Sequence, residues 1–389
     1  MECDALLGCT GDAFKSSRLE RMVSAGAMTN SYKLLWLRGI FEEVCASQRE
    51  IAFGRIVARM VAAAWYPHIY FKLSFGLQDK MGECVQALQQ ASGLANDASA
   101  AEVVQAACAC SDEGYLRCMR ERCKYVPYRL IRLFYEDELA AIRQRQGKLP
   151  DHMVDPAIAK ANQTSANGAP YTINAAGDGL CVEADWAAYM RDNQQVIKGW
   201  LDMRLVQYLQ ARNPSVPAVP SKIYPPQARD LSAATKYWRE ALALVPMREI
   251  YTNLPFDEAA FAQMGQLSID HFVPWSFVLH DEPWNLAPMF RNTNSSKGDR
   301  LPSLDDFLEP FCAQQFSALM ALRGTGRHRK ILEAYVQMHP DLAAFEDTPA
   351  CRQVFAERVD KVVRPLHQIA ANQGFALWRP EWEYAAVRV

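Results

Sequence analysis

The chain has 389 residues, of which half are hydrophobic and 22% are charged, and its formal net charge at pH 7 is −2. These values are typical of a folded chain of two or three domains, and they exclude an intrinsically disordered or collagen-like protein. They also exclude a protein whose overall positive charge attracts nucleic acid, so any such attraction has to come from local basic patches.

Helical periodicity dominates the first 150 residues. Apolar side chains recur there every three to four positions, the spacing that places them on one face of a helix. This periodicity is the reason why residues 1–150 are interpreted as a helical N-terminal domain. No cluster of catalytic side chains stands out in it. Helices are predicted over 33–47, 52–65, 83–90 and 98–108, with two more in 115–146.

Four of the eleven cysteines lie close together in this region. Cys108, Cys110, Cys118 and Cys123 could supply thiolate ligands to zinc, although their spacing matches no common zinc motif. The alternative is that they are small buried side chains of helices. The sequence leaves both interpretations open.

Several features predict a cytoplasmic protein without a membrane segment. The number of cysteines is odd, and the first residues lack the basic start of a secretory signal. The most apolar stretch, 56–70, is interrupted by Arg59, Pro67 and His68, and it is too short to span a bilayer. The thiols are therefore expected to be reduced.

Residues 151–261 carry signals of several different elements. The turn sequence Gly177-Asp178-Gly179 between two apolar runs indicates a β-hairpin, and Asp185 is a candidate N-cap for the helix that follows. Five prolines within 213–226 indicate an extended linker or wall. In chain order, the predicted elements are strands at 171–173 and 180–182, a helix from Asp185 to about Ala211, the proline-rich stretch and a helix at 232–244.

A spaced set of polar residues within 262–335 points to phosphodiester chemistry. A carboxylate and an amide oxygen suit a hard divalent cation, an imidazole activates water, and a lysine offers positive charge to phosphate. Four residue types at fixed offsets after an Asp-His pair would coincide by chance on the order of once in a hundred thousand positions. In chain order the set is Asp270, His271, Asn285, Asn294, Lys297 and Asp299.

This spacing resembles that of the HNH, or ββα-metal, endonuclease family, in the variant whose third signature residue is asparagine. It is similar to the HNH domain of RNA-guided CRISPR effector nucleases, and Pro274, Ser276, Phe277 and Pro302 also fit that variant. The resemblance covers roughly residues 269–302. It implies a mainly α fold with a small ββα-metal element, in a multi-segment α+β chain.

The local sequence is consistent with a ββα order. Apolar runs predict strands at 267–269 and 284–289, with a turn-rich stretch around His280 between them. Residues 292–294 are expected to cap a short helix, which Pro302 would help to end. His280 is interpreted as a surface loop residue.

The resemblance implies a role for each main member of the set. Asp270 and Asn294 would bind Mg²⁺ or Mn²⁺, and His271 would act as the general base. Asn285 would tie down the loop that orients the base. Lys297, one helical turn after Asn294, would approach a phosphate.

Each of these residues also has an ordinary structural interpretation. An Asp-His pair can be a capping or core pair, Asn285 a turn residue, and Lys297 a solvated surface charge. Asp299 would orient either Lys297 or a water molecule. The joint spacing, rather than any single residue, favours the nuclease interpretation.

Basic residues in and after the motif are the candidates for nucleic-acid contact. No acidic residue lies between Glu309 and Glu333, and glycines at 324 and 326 would let backbone amides approach phosphate. The alternative is a solvated turn between two helices. The candidate contacts are Lys297, Arg300, Arg323, Arg327, Arg329 and Lys330.

The segment 262–335, interpreted as the HNH nuclease module, is too small to bury much core alone. It lacks the two Cys-x-x-Cys pairs with which many members of the family hold a structural zinc. The proline-rich stretch and the helices after the motif are expected to replace that clamp, with 303–322 packed on the two strands. Residues 336–389 are expected to form a C-terminal helical segment and tail, with a short strand or docked tail at 374–378.

These inferences favour a metal-dependent endonuclease that hydrolyses phosphodiester bonds, with double-stranded DNA as the expected substrate. A nucleic-acid-binding module that has lost this chemistry and an RNA-directed nuclease are the alternatives. The layout, a helical N-terminal region before an HNH module, resembles stand-alone HNH proteins of bacterial anti-phage defence, such as those of type II Zorya systems. That resemblance implies protein partners that bind the N-terminal region.

Overall fold

The computed structural model describes residues 10–24, 26, 29–338 and 340–380. The chain divides into two units. One contains the described residues up to Pro214 together with Val219–Pro226, and the other contains Ser215–Ala218 and the described residues from Gln227 onward. The division therefore falls inside the predicted segment 151–261, because most of the proline-rich stretch groups with the first unit and the helix after it with the second.

Helices form most of the first unit, and α3 lies at its core with Ile56, Met60 and Trp65 fully buried. The strands form one antiparallel sheet in the order β1-β3-β2. These strands are β1 Glu50–Ala52, β2 Tyr171–Ile173 and β3 Gly179–Val182. The α-helices are α1 Thr10–Met22, α2 Tyr32–Cys45, α3 Phe53–Trp65, α4 Met81–Ser92, α5 Ala100–Ala109, α6 Glu113–Cys123, α7 Val126–Leu130, α8 Glu136–Gln146, α9 Asp151–Thr164, α10 Ala184–Asp192 and α11 Gln194–Arg212.

Four details of this unit differ from the sequence prediction. The stretch 115–146 contains three α-helices rather than two, because a separate short helix, α7, begins at Val126 with Pro127 in its first turn. Asp185 lies in the first turn of α10 and does not cap it. The expected long helix is interrupted at Asn193, whose side-chain amide donates to the Tyr189 carbonyl at 3.0 Å and competes with the helical backbone. β1 adds an unpredicted third strand to the hairpin.

The cysteines of this unit contact each other in a way that the zinc interpretation did not foresee. A hydrogen bond with the Cys84 thiol lowers the pKa of Cys118 to about 6, and nearby Arg122 acts in the same direction. Burial raises the pKa of Cys123 to about 12. Within the described part of the chain, no three His, Cys, Asp or Glu side chains are grouped so that they could hold a metal ion.

The second unit has the predicted ββα order, with β4 and β5 antiparallel and α15 directly after them. The mainly α fold with a small β element is thus confirmed. In the described ranges, no helix combines the length and the apolar character that a membrane crossing needs. The elements of this unit are α12 Ser232–Leu244, α13 Glu258–Met264, β4 Leu267–His271, α14 Trp275–Val278, β5 Leu286–Phe290, α15 Arg291–Lys297, β6 Leu301–Pro302, α16 Leu304–Arg323, α17 Arg329–Met338, α18 Pro349–Asn372 and β7 Leu377–Trp378.

Helices on both sides of the motif supply the core that the ββα element lacks. Ile269 of β4 and Leu286 of β5 pack in one cluster with Trp238 of α12 and with Ala318 and Leu322 of α16. α16 also donates a hydrogen bond from the Gln315 side chain to the Leu286 carbonyl, at 2.6 Å. The prediction that 303–322 packs directly on the two strands is therefore confirmed.

A buried carboxylate fixes the approach to the motif. Glu249 has no exposed surface, and its two oxygens accept hydrogen bonds from the backbone N–H groups of Phe290 at 3.0 Å and Thr252 at 3.1 Å. Burial raises the pKa of Glu249. Phe290 ends β5 directly before α15, so this carboxylate holds the start of the helix in place. The sequence has no pairs of cysteines around the motif that could hold a zinc ion for this purpose.

The end of the described chain also docks on the motif. β7 pairs in parallel with β6, the strand that follows α15. The buried Trp378 ring lies 4.9 Å from the Tyr251 ring, edge to face. Of the stretch 374–378, Leu377–Trp378 forms the predicted short strand, and the same segment is also docked.

Candidate functional site

The ββα element brings one face of β4 against one face of α15. Ser268 and Asp270 share a face of the strand, since alternate side chains point to the same side, and Asn294 and Lys297 share a face of the helix. The Asn294 side-chain amide donates to the Ser268 hydroxyl at 2.6 Å, and the Lys297 ammonium donates to Asp270 Oδ2 at 2.7 Å. These two contacts place both predicted metal ligands on one surface.

Lys297 is buried, whereas the predicted contact with a phosphate requires an exposed side chain. Its side chain has no exposed surface, and its ammonium donates to the Asp270 carboxylate and, at 2.8 Å, to the His271 carbonyl. An ammonium buried in this way cannot approach a phosphate from solvent. The expected phosphate contact is thus corrected to an internal ion pair that joins the helix to the strand.

His271 ends β4, and both nitrogens of its buried ring have polar neighbours. Nε2 lies 2.8 Å from Asp281 Oδ1, and Nδ1 lies 3.4 Å from Arg229 Nη1. A guanidinium can only donate and a carboxylate accepts, so both contacts favour a ring that carries its proton on Nε2. The lone pair of a neutral His271 is then on Nδ1, the nitrogen that faces Arg229.

Asp281 keeps its charge beside this ring. Its hydrogen bond with His271 lowers the pKa of the Asp281 carboxyl, so it is ionised at neutral pH. The carboxylate retains about a third of its exposure and comes from the turn between the strands. A carboxylate at the back of an imidazole fixes the tautomer and favours proton uptake at the other nitrogen.

Asn285 is fully buried and closes the loop that follows His271. Its side-chain oxygen accepts from the Val273 N–H at 2.8 Å, and its side-chain nitrogen donates to the Val273 carbonyl at 2.9 Å. The backbone adds a bond from the Phe272 N–H to the Asn285 carbonyl. Two reciprocal bonds of this kind hold residues 272–273 in one orientation, directly after the imidazole.

His280 is half-buried rather than a surface residue. Its ring lies 5.3 Å from the Trp284 ring. Burial, followed by the nearby His271, lowers the pKa of His280 to about 4. It is therefore neutral at physiological pH and adds no positive charge beside His271.

The oxygens of this surface fit a hard divalent cation. Asp270 engages one carboxylate oxygen with Lys297 and retains 16% of its side-chain exposure. Asn294 uses its amide nitrogen on Ser268, so its amide oxygen is left for another partner. One carboxylate and one amide oxygen suit Mg²⁺ or Mn²⁺, which keep several waters and accept further oxygens from a phosphate.

The helix α15 begins and ends earlier than predicted. It starts at Arg291 without a side-chain cap, so residues 292–294 lie within it. It ends before Gly298, whose φ of +51° is a conformation that glycine adopts readily, while Pro302 belongs to β6. Arg300 donates to the Lys297 carbonyl at 3.2 Å, and Asp299 is exposed beyond the helix end.

The basic loop between α16 and α17 is exposed, but its charges are not unopposed. Arg327 lies 3.6 Å from Glu240 of α12, and Arg329 lies 2.8 Å from Glu333. Exposed pairs of this kind are weak, and a phosphate can replace the carboxylate. The absence of acids between Glu309 and Glu333 in the sequence therefore does not leave the loop unpaired, because folding brings Glu240 from a distant helix. The exposed basic residues are Arg323, Arg327, Arg329 and Lys330.

Sequence reasoning missed two residues of the site. Asp281 stood in a stretch that was interpreted only as a turn, although an acid ten positions after the histidine was a visible signal. Arg229 precedes α12 by three residues and gave no signal, because its distance from the motif along the chain is large. Only the fold brings both of them to His271.

Comparison with known sequences agrees with this geometry. Residues 249–303 match the family described as HNH endonuclease. No curated protein and no solved structure matches the chain. The match supports nuclease chemistry, the hydrolysis of phosphodiester bonds in nucleic acid, and it spans the elements from Glu249 to the end of β6.

Proposed function

We propose that this HNH domain makes the chain a metal-dependent endonuclease that nicks double-stranded DNA. One observation carries the proposal: the Asp281-bound His271 ring ends the same strand that presents Asp270, and Asn294 lies on the helix packed against that strand. In this proposal His271 is the base that activates water, and Asp270 and Asn294 are the two oxygen ligands. A single base of this kind makes one cut per engagement.

The residues have distinct tasks in this proposal. His271 Nδ1 takes a proton as the water oxygen attacks phosphorus, and the bond from phosphorus to the leaving oxygen breaks, with that oxygen taking a proton from solvent. Asp281 positions the ring and offsets the positive charge that it gains. Asn285 holds the adjoining loop. A divalent cation held by Asp270 and Asn294 would supply charge stabilisation at the phosphate.

Metal dependence is the first expected result. The wild-type protein should convert supercoiled plasmid to open circles with Mg²⁺ or Mn²⁺ and stop when a chelator is added. Asp270→Asn and Asn294→Ala should each lower the rate by about 10²-fold or more, because the phosphate loses its counter-charge. Asp305→Asn, which changes an exposed carboxylate of α16, should cleave as the wild type does.

Calorimetric titration with Mn²⁺ should show binding to the wild type and none to Asp270→Asn. Cleavage that persists in the chelator, or equal rates for all these variants, would contradict the proposal. The same assay on single-stranded DNA and on duplex RNA decides the substrate, and cleavage of RNA alone would replace DNA by RNA in the assignment.

Asp281 provides a second expected result, on positioning rather than on direct chemistry. Asp281→Ala should lower kcat by about 10²-fold, because the ring loses both its orientation and its compensating charge. Asp281→Asn can still accept from Nε2, so its loss should be smaller. Glu282→Gln removes the neighbouring carboxylate and serves as the control. An Asp281→Ala variant with wild-type kcat would show that the contact is not used.

The biological setting is proposed from the order of the chain, in which a helical first unit precedes an HNH domain. Bacterial anti-phage defence in the cytoplasm is the setting that this layout favours. In it, the first unit would bind a protein partner and restrain cleavage until infection. The exposed arginines and the lysine of the α16–α17 loop would add contacts to the nucleic-acid backbone.

A further inference from the structure

Arg229 lies beside the His271 ring, and it is outside residues 249–303, which match the HNH family. It belongs to the irregular stretch 225–231 that leads into α12. Its guanidinium carbon lies 4.8 Å from the centre of the Trp275 ring, and Nη1 lies 3.4 Å from His271 Nδ1. Two independent contacts therefore place this cation in front of the nitrogen that would take the proton.

Neither contact neutralises the positive charge of Arg229. A separation of 3.4 Å is at the long end for a hydrogen bond, and stacking on an indole holds a guanidinium without neutralising it. Asp270 pairs with Lys297, while Asp281 has its hydrogen bond with His271 and a weaker electrostatic attraction to Arg229, which also lowers the pKa of Asp281. The side chain is also exposed to solvent on its outer side.

The position of the reacting phosphate follows from the geometry of the base. A water that gives its proton to His271 Nδ1 lies about 3 Å from that nitrogen, and it attacks phosphorus from about 3–3.5 Å. A phosphate in that place is within reach of a guanidinium that is itself next to Nδ1. Lys297 is fully buried against Asp270 and cannot take this part.

We propose that Arg229 binds the scissile phosphate and stabilises the negative charge that its oxygens gain during attack. Its planar fork can hold two phosphate oxygens at once, which a lysine cannot do. The Trp275 ring keeps the fork extended over the site when no nucleic acid is present. This assignment rests on the proposed nuclease function and gives Arg229 the phosphate contact that the sequence suggested for Lys297.

The test compares three purified full-length variants with the wild type in plasmid nicking with Mg²⁺. Arg229→Ala should lower kcat by about 10²-fold with KM changed by less than about threefold, because the contact strengthens only as charge develops. Arg229→Lys keeps the positive charge but lacks the planar fork, so its kcat should lie between those of Arg229→Ala and the wild type. Arg364→Ala removes an exposed arginine paired with Asp360 on α18 and should match the wild type.

Three outcomes would overturn the assignment. Wild-type kcat in Arg229→Ala would show that the guanidinium does not act on the phosphate. Faster cleavage would show that it blocks the base instead. A raised KM with unchanged kcat would reduce it to a general DNA contact. If neither the wild type nor Arg364→Ala cleaves DNA or RNA, the nuclease function fails and Arg229 loses its assignment with it. Melting curves of Arg229→Ala and Arg229→Lys verify that both variants fold.

Discussion

Replacement of His271 by alanine is expected to reduce the plasmid-nicking rate by about 10³-fold, within the range that general-base catalysis supplies. The water molecule then has no proton acceptor, while the oxygens of Asp270 and Asn294 remain in place. Metal binding should therefore persist, and calorimetric titration with Mn²⁺ should give the same stoichiometry as for the wild type. Free imidazole should restore part of the rate, because the alanine leaves space for it beside Asp281.

The matched control is His152→Ala, which removes an exposed histidine of α9 and should cleave at the wild-type rate. Because the His271 ring is buried, the melting temperature of His271→Ala has to be compared with that of the wild type before its rate is interpreted. Equal nicking by wild type and His271→Ala would remove the proposed function. Loss of Mn²⁺ binding in the variant would instead mean that the whole surface had changed.

The second large effect concerns stability. Lys297→Met should destabilise the second unit by about 3 kcal/mol, because it leaves the Asp270 carboxylate in a mostly buried position without its cation. The variant also loses the bond to the His271 carbonyl. At roughly 2–4 °C per kcal/mol for a unit of this size, the melting transition should fall by about 6–12 °C. Differential scanning calorimetry measures this change.

The cause can be separated from simple loss of packing. In the double variant Lys297→Met with Asp270→Asn, the orphaned carboxylate is neutral, so part of the lost stability should return. Added Mg²⁺ should also stabilise Lys297→Met through Asp270. Lys361→Ala, an exposed lysine of α18, is the control and should melt as the wild type does. A Lys297→Met protein with wild-type stability would contradict the buried ion pair.

Much of the ββα element could be predicted because its signals are local. The apolar runs of β4 and β5 and the polar turn between them are contiguous in sequence, and spacing within a strand or helix fixes which side chains share a face. Asn294 and Lys297 therefore share one face of α15, as their spacing predicted. Helix ends were less predictable: α15 begins at Arg291 because Phe290 ends the strand beside it, not because of a capping side chain.

The spacing of residues along the sequence could not predict contacts between distant segments. Glu240 reaches the basic loop from a helix 88 residues before His328, with which it also pairs. Glu249 holds the start of α15 by accepting a hydrogen bond from the Phe290 N–H, and it thereby replaces a structural zinc site. No sequence motif indicates this role of Glu249. In both cases the partner is chosen by the packing of helices around the strands, so its identity depends on the whole second unit.

The sequence by itself determined the chemistry that the site can offer: an imidazole, a carboxylate and an amide oxygen at offsets that one strand and one helix bring together. The tertiary structure decided how these groups are used. It buried Lys297 on Asp270, placed Asp281 behind the His271 ring and set Arg229 in front of it. The physical reason is that residue type and spacing fix which groups share a face, whereas burial and charge pairing depend on which distant segments pack against that face.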